Sequence, residues 1–75
     1  MSAIQEQLNE IERDAKATLE LILDNVTMLM EDRTEIELDS LERNVRLLRQ
    51  EHDKAAVLEE ELEFERYAEE RYGTV

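Results

Sequence analysis

Cysteine and proline are absent from this chain of 75 residues, glycine occurs only at position 73 and histidine only at position 52. Each shortage excludes a class. Without thiols there is no disulfide framework and no thiolate zinc site, and a lone imidazole is too few for a histidine metal cluster. With a single glycine there is no glycine-rich loop to cradle a phosphate. Apolar runs such as Met28 to Met30 last only a few residues, far short of the roughly 20 that a membrane span requires. Met1 to Glu10 have neither the cationic start nor the apolar stretch of a secretory signal, so the expected location is cytoplasmic, with no membrane association. A chain this short buries only about 60% of its unfolded surface, so a single copy without staples is marginal.

Acid is abundant instead. Asp and Glu number 21 against 9 Lys and Arg, a formal charge of −12. The charge is uneven: residues 1–33 and 55–75 each carry −5, and the stretch between them −2. An apolar fraction of 41% argues against disorder, which takes a chain too poor in apolar side chains to offset its ordering entropy. Phosphate backbones are bound through Lys and Arg, so direct nucleic-acid binding is not expected.

With no breaker before Gly73, helix is the expected state throughout. Ser2 followed by Gln5, and Thr34 followed by Glu37, are two capping boxes ahead of apolar periodicity. They predict an all-α fold: a first helix over about residues 3–31, a connection at about 32–34 and a second helix over about 35–72, stopped by Gly73. So short a connection makes the helices antiparallel neighbours in one coiled-coil-like hairpin domain.

In the first helix Ile4, Leu8, Ile11, Ala15, Leu19, Ile22, Val26 and Leu29 form an apolar stripe, widened by Leu23 and Met30. Leu21 and Met28 fall on nearly the opposite side. A helix with one partner leaves that second face wet, so Leu21 and Met28, together with Ile22, Val26 and Leu29, are the expected oligomerisation residues, and a dimeric four-helix bundle is the favoured assembly. Asn25, between Ile22 and Leu29, stands where a single polar residue fixes register and oligomer number, or else faces water together with Thr18. In the second helix Leu38, Leu41, Val45, Leu48, His52 and Ala55 make a heptad seam. Leu58 and Leu62 roughly continue it, whereas Val57, Phe64, Ala68 and Tyr72 form a separate stripe.

No enzyme activity, cofactor or metal is expected. His52 reads as a buried or half-buried structural imidazole on the seam. Ser2 and Ser40 have no His and carboxylate arranged about them, and Arg49 stands where a bundle metal motif needs Glu ahead of the histidine. Arg43, Arg46 and Arg49 recur every third position, with Asp39 and Glu42 four residues ahead of the first two, so helix ion pairing is their plain reading. All three aromatics, Phe64, Tyr67 and Tyr72, lie within nine residues among Arg66, Arg71 and the acids Glu60 and Glu61. Aromatic and Arg side chains dominate binding energies, which makes Phe64, Tyr67, Tyr72, Arg66, Glu60 and Glu61 the candidate surface for a protein partner, the chain acting as a regulator or inhibitor. A rival reading is a nucleic-acid mimic whose carboxylates, Glu59 to Glu65, occupy the basic groove of a DNA- or RNA-handling enzyme. A third is a sponge for a small anion held by Arg43, Arg46 and Arg49 of several copies.

Overall fold

The computed structural model describes residues 2–72, and the surroundings of side chains as far as Arg71. It is an all-α hairpin of two helices, α1 (Ala3–Glu31) and α2 (Glu35–Tyr72), packed along each other. The expected stop at Gly73 lies outside the described residues.

Both helix starts rest on the predicted caps, though each uses half of its capping box. Ser2, in extended backbone conformation, accepts a hydrogen bond from the Gln5 amide at 3.1 Å, whereas the Gln5 side chain donates onward to Asn9 at 3.2 Å. Thr34 Oγ1 likewise accepts from the Glu37 amide at 3.2 Å. The Glu37 carboxylate does not turn back to the cap: it accepts from Asn25 on the other helix. Each cap satisfies an amide that helix geometry leaves without a partner. α1 closes at Asp32, whose extended backbone donates to the Met28 carbonyl at 2.9 Å.

The seam between the helices follows a strict seven-residue repeat, one residue out of phase with part of the expected stripes. On α1 it runs through Ile4, Leu8, Ile11, Ala15, Thr18, Ile22, Asn25 and Leu29, and on α2 through Glu37, Leu41, Asn44, Leu48, Glu51, Ala55, Leu58 and Leu62. Thr18 and Asn25 thus take the places expected of Leu19 and Val26. Glu37, Asn44 and Glu51 take those expected of Leu38, Val45 and His52. The five displaced residues are exposed, His52 among them, so it is not the buried or half-buried imidazole the spacing suggested. The reason is geometric. A stripe that passes from Ile11 to Ala15 to Leu19 takes two four-residue steps in succession and drifts around the helix. Continued steps of three and four keep a seam facing one partner over a whole helix. On that repeat Leu58 and Leu62 continue the α2 seam and α2 runs unbroken to Tyr72.

The phase determines what is buried. Among the described residues no apolar side chain is fully buried, and the buried ones are Thr18 at 3% exposure, Asn25 at 7% and Glu51 at 8%. Thr18 Oγ1 lies 2.8 Å from Glu51 Oε1 and 3.0 Å from the Asp14 carbonyl, its one hydroxyl hydrogen serving both acceptors. One heptad along α1, Asn25 donates to Glu37 and, at 3.1 Å, to Ser40, and its carbonyl accepts from Asn44 at 2.7 Å. Every buried side-chain polar atom among the described residues has a partner, as burial in low dielectric demands.

Glu51 has no cation paired with it among the described residues, so its stability depends on the Thr18 hydroxyl. Thr18→Val is expected to cost about 1–3 kcal/mol in urea unfolding, because it leaves a buried acceptor unpaired. Thr18→Val combined with Glu51→Leu is expected to be neutral or stabilising; a double variant as unstable as the single one would show that the pair stabilises the hairpin beyond satisfying its own burial.

Candidate interaction surfaces

Because Thr18, Asn25, Glu37, Asn44 and Glu51 occupy seam positions, several large apolar side chains lie on the flanks of the seam. Thr18 sits across from Glu51 and Asn25 across from Asn44, a single antiparallel register. Residues one position after the polar seam residues, at roughly 100° per residue, are Leu19 and Val26 on α1 and Leu38, Val45 and His52 on α2. Since the helices run in opposite directions, the same step carries both columns to one side of the hairpin. A groove on that side is lined from α1 by Leu8, Ile11 and Glu12 and from α2 by Val45, His52 and Glu59, with a volume of about 800 Å³. Its floor is the half-buried part of the seam.

The other flank carries Leu21 and Met28 of α1 and Leu47 of α2, exposed by 50%, 50% and 42%. Here the α2 column is mixed: Ser40, Leu47, Lys54 and Glu61 follow one another at seven-residue intervals. Of the expected oligomerisation residues, Leu21, Met28 and Val26 are thus exposed, and Ile22 and Leu29 are half-buried in the seam.

The expected partner surface is exposed at the far end of α2. Phe64 is 72% exposed and Tyr67 52%, and with Glu60, Glu63, Arg66 and Glu70 they line a shallow concavity. The Arg71 guanidinium stands 5.6 Å from the Tyr67 ring centre, a cation–π distance. Glu61 is exposed but does not line this concavity. The side chain of Tyr72 lies outside the described residues. Continuing the register puts Ile4 across from about residue 65, so the last two turns of α2 project past the start of α1.

The arginine strip does not form one site. Arg46 pairs with Glu42 at 3.0 Å, as the spacing predicts, and Arg49 with Asp53 at 3.6 Å, all four side chains being largely exposed. Exposed pairs of this kind contribute little to stability. Arg43 has no carboxylate within ion-pair distance among the described residues, so the expected pair with Asp39 is not formed. Among the described residues no cluster of three or more His, Cys, Asp or Glu is placed to hold a metal ion, and no helix is long and apolar enough to cross a membrane.

Sequence reasoning singled out Asn25 but not its partners Glu37, Ser40 and Asn44, nor the Thr18–Glu51 pair. A signal was present: Thr18 and Asn25 on one helix and Glu37, Asn44 and Glu51 on the other stand seven residues apart in phase with Ile11 and Leu58. Comparison with protein-family models, with curated proteins and with solved structures returned no match.

A buried amide satisfied on three sides specifies register, since any slip of one helix along the other unpairs it. Asn25→Ala is expected to destabilise the protein by about 1–3 kcal/mol. Asn25→Leu is expected to melt higher yet give a broader distribution of assembled masses in sedimentation velocity; a single sharp species would show that register is fixed elsewhere.

Proposed function

We propose that this chain is a small acidic, non-enzymatic interaction protein of the cytoplasm. Its hairpins pair into a dimeric four-helix bundle, and the projecting end of α2 grips a protein partner, regulating it by occupying its surface. The observation that carries this reading is the inversion of the usual core: the contact between the helices buries Thr18, Asn25 and Glu51, while thirteen large apolar side chains stay exposed. Monomers rarely leave contiguous apolar surface wet, and a domain of this size has little stability to spare. Bundles of two hairpins bury such flanks between them.

For the partner surface, Phe64, Arg66 and Tyr67 offer an aromatic and guanidinium patch on a helix that another protein's groove accepts from one side. The mimic reading gains less support. Glu59, Glu60, Glu61 and Glu65 are all exposed, but at roughly 100° per residue they spread around the helix instead of following one edge as phosphates do.

Sedimentation equilibrium at micromolar concentration is expected to give twice the chain mass of 8.9 kDa. A mass of one chain, with full helicity, contradicts the reading. Phe64→Ala with Tyr67→Ala is expected to leave that mass and the melting temperature within about 2 °C of the parent, as surface changes do; a fall in mass would place these aromatics inside the bundle instead of at a partner surface.

A further inference from the structure

The open end of the hairpin, where α1 begins and α2 finishes, differs from the rest in charge and in side-chain type. Phe64 and Tyr67 are both exposed there, by 72% and 52%. Leu58 and Leu62 meet α1 on the seam, so at roughly 100° per residue the two rings point away from it. We infer that what covers this face is a cationic, arginine-bearing surface of another protein. The inference rests on the partner surface proposed above and names the chemistry of its partner.

Charge selects the sign of that partner. Residues 1–12 and 55–71 hold ten acids against two bases, Arg66 and Arg71, whereas the longer stretch 13–54 holds eleven against seven. This end therefore carries −8 of the total −12. Glu60, Glu63 and Glu70 line the same concavity as the rings, together with Arg66, and none of the three carboxylates has an ion-pair partner among the described residues. Such a field attracts cations and turns away phosphates and anionic membranes. A second copy is disfavoured as well. The chain's own cationic run, Arg43, Arg46 and Arg49, lies within residues 35–54, which hold six acids against four bases, and Arg46 and Arg49 are already paired with Glu42 and Asp53.

The rings select the place and the kind of cation. Glu31 to Glu42 are also acidic, with six acids and one base, but include no aromatic residue, and Glu37 there is engaged by Asn25. At the open end the chain's own Arg71 stands 5.6 Å from the Tyr67 ring centre, an arrangement that guanidinium adopts on aromatic faces more often than ammonium does. Phe64 offers a second ring with no cation over it among the described residues. Glu60 lies one turn before it and Glu63 beside it, so a guanidinium on that ring gains the attraction of both carboxylates.

The test titrates the full chain calorimetrically with a peptide of Arg and Leu at helical spacing, and with counterparts carrying Gln or Glu in place of every Arg. The Arg peptide is expected to bind at least about tenfold more tightly than either counterpart. Phe64→Ala with Tyr67→Ala is expected to weaken it at least about fivefold. Glu60→Gln with Glu63→Gln is expected to weaken it at least about threefold, and Glu20→Gln with Asp24→Asn, an equal loss of charge elsewhere, by less than about twofold. Equal losses from the two charge variants, or none from removing the rings, overturn the inference, because attraction to an acidic chain in general then suffices. A Gln or Glu peptide that binds as tightly through Phe64 and Tyr67 overturns the cationic partner and leaves the end of α2 as a partner surface. If no peptide binds, the inference and that partner surface fall together, while self-association is judged by mass alone. A fall in the mass of the chain lacking both rings assigns the face to a second copy and overturns the inference too.

Discussion

The amide of Asn25, held by Glu37, Ser40 and Asn44 across the hairpin, is the contact to which the other features of this structure can be traced. A buried amide left without partners is costly, so once it is satisfied the helices have one rotation and one register available. With Asn25 and Thr18 turned inward, Leu19 and Val26 cannot also be inside, and Leu38, Val45 and His52 are displaced by the same rotation of α2. The polar positions of the seam therefore fix the geometry of the hairpin and, by exclusion, the position of its apolar flanks. They contribute specificity more than driving force, since an exchange of water hydrogen bonds for internal ones yields little net free energy.

That division explains how much of the fold was legible in the sequence. The caps at Ser2 and Thr34, the absence of breakers and the short connection locate two antiparallel helices, and the observed helix starts and the end of α1 agree with them, because these signals are local and each helix start must satisfy its own amides. The phase of the seam was not legible from hydrophobicity. Between Thr18 and Leu19, or Asn44 and Val45, the more apolar residue is the natural choice for the interior of a single chain, and here it is the wrong one. The strict repeat linking Ile4, Ile11, Thr18 and Asn25 carried the correct phase, but reading it required giving periodicity precedence over polarity. Hydrogen-bond complementarity between residues far apart in sequence, such as Thr18 and Glu51, leaves no local trace, so the partners became visible only with both helices in place.

The candidate surfaces were legible in a different measure. The exposed aromatic turn at Phe64 and Tyr67 stood out by composition alone, because every aromatic of the chain falls there. Leu21 and Met28 stood out as a second face. The flank of Leu19, Val26, Leu38 and Val45 was hidden, since these residues had been assigned to the seam. Once rotated outward, they turn what looked like a core into a surface. The uneven charge is a feature of the sequence as a whole: residues 1–33 and 55–75 each carry −5, and the stretch between them −2.

The central claim is that a single hairpin lacks an apolar core of its own and that a second copy supplies it. Folding and association are then one equilibrium, and the melting temperature must depend on protein concentration. Followed by circular dichroism over a hundredfold range of concentration, the account predicts a rise of about 5–10 °C. A melting temperature that stays the same across that range, with a cooperative transition, would contradict it.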